Sequence, residues 1–180
     1  GGYLGHMWEL YAMWSTIGIF LAEAGRRHGV VPAWVPFLAF LVIAVGAIGS
    51  VVAGIRADQV GRARVAMIAM AISGTCAIVI GPLATWSWGL TVLVAFVWGA
   101  SVVADSAQFS ACVADYSPRE YVGTALTVQT ASGFLLTMLT IHLVPAWAAQ
   151  WGWELAYMPL AIGPALGIVS MSRLGNAGRA

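Results

Sequence analysis

Long apolar runs alternate with short polar interruptions along this chain. Runs of about 18 or more apolar residues read as membrane-spanning helices. Six such runs predict helices over residues 3–24, 34–55, 65–83, 86–114, 121–144 and 153–171. The fourth is long, which predicts a tilt or a protruding end. The interruptions are short, as loops between bundle helices are. They carry the breakers Gly29 and Pro32, Pro82, Ser117 and Pro118, Pro145, and Gly152. The pattern therefore predicts an all-α membrane protein with six transmembrane helices in one domain over residues 1–180.

Composition agrees with the pattern. The chain is 61% hydrophobic and 8% charged, whereas a soluble domain carries about 25% charged residues. Too few charges are present to cover a soluble surface, so membrane lipid is the expected surrounding. All eight basic residues are Arg and the net charge is +1, which gives no reason to expect a nucleic-acid partner. Cys76 and Cys112 have neither metal-ligand spacing nor the density of a disulfide framework. The opening GGYLGHMWEL has no initiator Met and no signal-peptide pattern, which predicts a piece of a longer or processed protein.

Charge distribution sets an expected orientation. An even number of crossings puts both termini on one side, with Arg56, Arg62, Arg64, Arg119, Arg173 and Arg179; only Arg26 and Arg27 fall on the other. The excess predicts that the termini face the cytoplasm. Trp34, Trp86, Trp88, Trp147, Trp151 and Trp153 lie at or near predicted helix ends, where aromatic belts sit. Gly46, Gly49 and Ala53, with Gly163 and Gly167, allow close helix contact, and the stretch around Pro164 can bend its helix.

One stretch is dense in charge. GIRADQVGRAR, residues 54–64, falls between the second and third runs. Gly54 has no side chain to hold a neighbouring helix away. Asp58 stands at a predicted helix end, where it can pair with Arg or cap a helix N-terminus. Gly61 permits a tight turn, and Arg62 and Arg64 can bind carboxylates or helix C-terminal carbonyls. Taken alone, these residues also fit a solvated charge run that only fixes orientation.

Their order, Gly54, Asp58, Gly61, Arg62 and Arg64 in G-x-x-x-D-x-x-G-R-x-R, resembles the signature loop of the major facilitator superfamily. That loop joins the second and third helices of a six-helix half, its place here. A second segment, Asp115 to Ala125, resembles the family's acid-x-x-P-x-x-x-R-G-T-A stretch. It departs in that Arg119 directly follows Pro118 and Val122 precedes Gly123. The resemblance implies one half of a 6+6 bundle, with Asp115 and Arg119 joining the first loop in a cytoplasmic gate. The opening residues and the short ending after Arg173 resemble a C-terminal half, and Ala104 to Ser110 is similar to bacterial nitrate/nitrite and cyanate permease-type members. Implied in turn are the N-terminal half of the same transporter as partner, a small organic or inorganic-anion solute, and the bacterial inner (plasma) membrane.

Ionisable residues inside a span are costly, so each is a functional candidate. His6 and Glu9 are three apart on the first helix, one face, with Met13 four further on. The pair can carry protons, or can simply hold its helix near the surface. Ser101, Asp105, Gln108 and Cys112 form a face of the fourth helix. Asp105 there can bind a cation, accept a proton, pair with an Arg of the missing half, or make a polar contact within the bundle. Gln129, mid-span in the fifth helix, suits a neutral or anionic ligand beside Thr127, Thr130 and Thr137. His142 and Glu154 are expected near the far surface.

No nucleophile elbow, phosphate loop or metal cluster occurs, so neither an enzyme nor a cofactor is expected. The leading expectation is secondary transport of a small solute by alternating access, coupling to protons included. The alternative is a self-contained six-helix channel or scaffold acting as a homodimer. A membrane electron-transfer protein would need paired histidines at mid-membrane, and these are lacking.

Overall fold

The computed structural model describes residues 1–30 and 32–177, and among them every regular element is helical. The helices are α1 (Gly2–Arg27), α2 (Val35–Val60), α3 (Arg62–Trp86), α4 (Trp88–Ala104), α5 (Ser106–Tyr116), α6 (Val122–Trp151), α7 (Trp153–Ala156) and α8 (Ile162–Ala177). Single 3-10 turns precede α2, α6 and α8.

Five spans are long and apolar enough to cross a membrane: Val35–Val60, Arg62–Trp86, Trp88–Tyr116, Arg119–Trp151 and Trp153–Leu174. Helix α1 is as long as α2 but is not among them. Its polar residues lower its hydropathy, and packing explains how they are accommodated. Helix α1 lies against α2, α4, α6 and α8, and His6, Glu9 and Thr16 are buried by protein.

Several helix boundaries differ from the sequence pattern. Residues 54–64 are not a loop: α2 runs to Val60, α3 starts at Arg62, and Gly61 alone breaks them at φ 93°. Pro82 and Pro145 lie inside α3 and α6 instead of in connections. A spanning helix tolerates the single hydrogen bond that a proline removes when its neighbours cover the site. The fourth span runs on as one helix of 29 residues, but Asp105, between α4 and α5, locally interrupts its hydrogen-bond ladder while keeping α-region angles (φ −87°, ψ −16°). Neither Pro nor Gly stands there, but Asp and Ser disfavour helix interiors because their side chains compete for backbone groups. The ladder of the sixth span is also interrupted, around Tyr157 to Ala161, ahead of the bend expected at Pro164.

Small residues set the closest approaches. A Cβ on Gly49 would run into the Ala100 carbonyl, and one on Gly99 into that of Val42, so α2 and α4 touch backbone to backbone. Gly5 and Gly163 do the same for α1 and α8, and Gly81 for α3 and α7. Gly46 faces Val103 and the Gly99 carbonyl, and Gly167 faces Met70. Gly54, by contrast, has nothing within 4 Å of its Cβ direction. It carries no close approach; its neighbours Ala53 and Ala57 are the α2 residues that pack against α3 and α4 at that level.

The crossings bring Gly1, the turn at Tyr116 to Tyr121 and the C-terminal part of α8 to one end of the bundle. The Gly61 turn shares that end with Asp115 and Leu174. Arg179 lies outside the described residues.

Candidate functional site

The interior of the bundle holds a cluster of ionisable side chains. His6 and Glu9 share a face of α1, as their spacing requires, yet they do not pair with each other. His6 Nδ1 lies 2.8 Å from Asp105 Oδ1. Glu9 instead accepts two hydrogen bonds, from Trp98 Nε1 at 2.6 Å and from Ser73 Oγ at 2.8 Å. All five side chains are buried. Helix α1 thus presents one acid and one imidazole, and α3, α4 and the α4–α5 junction supply their partners.

The two halves of the cluster differ in how well they are satisfied. Each Glu9 carboxyl oxygen has a donor. The His6–Asp105 contact is close but lacks hydrogen-bond alignment, and His6 Nε2 has no partner. Leaving a buried polar atom unpaired is costly. Such atoms mark places where a proton or an incoming polar group gains most. The imidazole and the Asp105 carboxyl are thus close enough to share a proton while both stay buried, and Glu9 is held apart by its own two donors.

Asp105 stands at the interruption in the fourth span, where its own carbonyl accepts from Gln108 N at 2.9 Å. Gln108 is buried beside it in the first turn of α5.

A cavity of about 730 Å³ opens at the end of the bundle that carries Gly1. Tyr3, Phe109, Cys112, Thr124, Gln129 and Ser132 are among its lining residues; His6, Glu9, Asp105 and Gln108 are not. Tyr3 and Phe109 separate the two regions, with ring centroids 6.0 and 5.5 Å from that of His6. Gln129 is not a mid-span partner of the acids. It is two turns into α6, half-buried, and its Nε2 donates to Ser110 Oγ at 3.5 Å. Of the other fifth-span candidates, Thr127 and Thr137 bond back to carbonyls of their own helix.

At the same end, Arg62 Nε lies 3.2 Å from Asp115 Oδ2, tying the start of α3 to the end of α5. Both side chains are about half exposed. These residues, with Asp58, Gly61 and Arg64, surround a second, polar cavity of about 790 Å³. Asp58 caps no helix, because α3 has no side-chain cap. Among the described residues neither Asp58 nor Arg64 nor Arg119 has an ion-pair partner within 4.0 Å.

The opposite end is tied more densely. Glu23 pairs with Arg26 and Arg27 on α1, and Arg27 also reaches Glu154 of α7. A His28 ring nitrogen lies 2.9 Å from the Ala84 carbonyl of α3. Glu154 is thus near the far surface, as its position suggests, and is held there by α1. His142 is exposed and contacts the Met138 carbonyl of its own helix.

Ser73, Trp98, Tyr3 and Phe109 were not legible as site residues. Trp98 carried a usable signal: it stands mid-span, away from the helix ends where interfacial tryptophans gather. Ser73 is one serine among many small residues, and nothing local distinguishes it. Comparison with protein-family models, curated proteins and solved structures finds no match for this chain.

Proposed function

We propose that this chain is the C-terminal six-helix half of a secondary transporter of the major facilitator type. It moves a small solute by alternating access, and movement is coupled to protons. The observation that carries the reading is the buried set His6, Asp105 and Glu9, gathered where the ladder of the fourth span is interrupted. Buried ionisable groups are expensive in a membrane and mark ion or substrate pathways. A local departure from the α-helical ladder inside a span often marks a functional position. The Arg62–Asp115 pair supports the gate role that the residue order around Gly61 implies. The two least covered spans, α2 and α6, leave apolar faces on which a second half can pack.

In this reading His6 and Asp105 share a proton. Its loss or gain alters the pairing at the α4–α5 junction and so couples occupancy to the shape of the bundle. Glu9, held by Trp98 and Ser73, keeps α1 registered against α3 and α4. The test is uptake of candidate solutes into proteoliposomes holding the complete transporter, with and without a pH gradient. Asp105→Asn is expected to abolish gradient-driven uptake, by roughly the 10²-fold or more that misplacing a positioned group costs. Glu9→Gln is expected to reduce uptake less. Unchanged uptake in both variants would remove the cluster from the mechanism.

A further inference from the structure

The V-shaped space between α2 and α3 is a second, unrelated feature. The two helices meet at Gly61 and diverge from it, and α4 closes the space behind them. The result is a groove of about 530 Å³. Buried Ala53 and Ala69 form its floor, and exposed Val52 and Ile72 stand as walls. Its lining is apolar with one charge, Arg56, near the end at which α2 and α3 join.

Two properties define what fits. The occupant must be apolar along most of its length, because a soluble anion gains nothing from such walls. It must be anionic at one end: Arg56 has no acidic partner within 4.0 Å among the described residues, whereas Arg62 is matched by Asp115. Length agrees. From Arg56 to Ile48 the groove follows α2 for about 12 Å at a rise of 1.5 Å per residue. One leaflet holds roughly 15 Å of hydrocarbon.

We propose that this groove binds one anionic phospholipid of the leaflet on the side of the chain termini. One acyl chain lies between α2 and α3, and the phosphate rests on Arg56. The idea concerns neither the buried acids nor the cavity near Tyr3; alongside the transport reading it requires a second half to pack on α2 along Phe40, Val51 and Ile55 and to leave Ile48 and Val52 to the lipid. A lipid wedged there would hold α2 and α3 apart and support the Gly61 turn from the membrane side.

Native mass spectrometry of the chain in detergent, with phosphatidylglycerol or phosphatidylcholine added, tests it. The wild type is expected to retain one phosphatidylglycerol in about fivefold preference, the ratio that a single arginine near an anionic headgroup supplies. Arg56→Gln should lose the preference while still binding lipid, and Arg173→Gln, an exposed arginine outside the groove, should keep it. Ile72→Trp should fill the groove and lower retention of both lipids. Val52→Trp, from the opposite wall, serves if Ile72→Trp loses helical signal. Equal retention of the two lipids by the wild type, or an unchanged preference in Arg56→Gln, overturns the proposal. So does a wild-type dimer that Ile72→Trp converts to monomer, or a photoreactive group at position 72 that captures peptide instead of lipid in membranes.

Discussion

The two ends of the bundle are built on opposite plans. Where α1, α3 and α7 meet, Glu23, Arg26, Arg27 and Glu154 are all paired. Gly81 lets the α3 backbone touch that of α7, and the space left between these helices is only about 10 Å³. At the end bearing the termini, one half-exposed ion pair among the described residues lines a cavity of about 790 Å³, and a second cavity of about 730 Å³ opens beside it. Glycines at the α2–α3 turn there, 54 and 61, meet nothing, and close contact at that end gathers at the start of α1, where Gly2 and Gly5 meet α5 and α8. The end bearing the termini carries more charges, Arg56, Asp58, Arg62, Arg64, Asp115, Arg119, Glu120 and Arg173 against Glu23, Arg26, Arg27 and Glu154, so charge alone does not close a bundle. At the closed end backbone contact at Gly81 and the ion pairs act together across α1, α3 and α7.

Access to water gives the largest expected contrast. In a chain with Cys76→Ala and Cys112→Ala, Thr124→Cys should react with a small polar thiol reagent at least roughly tenfold faster than Ala84→Cys, as exposure governs thiol reactivity. Thr124 lines the larger-mouthed end, and Ala84 is buried at the other. Equal rates would mean that the far end is not shut.

Glycine substitution should give effects of opposite sign. Gly81→Ala drives a methyl into the Glu154 carbonyl and is expected to cost about 1–3 kcal/mol, as overpacking does. Gly54→Ala meets no atom within 4 Å and lies inside α2. It should gain up to about 1 kcal/mol, because alanine loses less backbone freedom than glycine in a helix. Thermal unfolding in one detergent measures both. A loss at Gly54 comparable with that at Gly81 would mean that another helix reaches it.

Ion-pair removal should have the smallest effects. Arg27→Gln releases both Glu23 and Glu154, and Arg62→Gln releases only Asp115. All of these side chains are 29–54% exposed, and such pairs contribute roughly 0.2–1 kcal/mol after screening. Arg27→Gln should sit near the top of that range and Arg62→Gln near the bottom, both shrinking in high salt. The reverse order would make the Gly61 end the tighter one.

The cluster of buried acids was only half legible beforehand. His6, Glu9 and Asp105 were each visible, because an ionisable residue within an apolar run has few innocent explanations. Their pairing was not. Helical spacing shows which side chains share a face, and on that ground His6 belonged with Glu9. A side chain on that face, however, points away from its own helix toward the neighbours. Asp105, Trp98 and Ser73 are brought there by α3 and α4, at separations in sequence that no local pattern encodes. Gln129 stands apart from these acids for the same reason: it is on α6, and lines the cavity near Tyr3 instead.

The hydropathy, the all-helical class, most of the small-residue contacts and the positions of the charges came from the chain itself. These follow from transfer free energies and helix periodicity, which act over one or two turns. Folding in three dimensions decided that α1 is sheltered by its neighbours, that the ladder of the fourth span is interrupted at Asp105, and that His6 faces Asp105 and not Glu9. It also decided which end is sealed. Each of these depends on how tightly separate helices approach, a property of pairs of surfaces and not of any one segment.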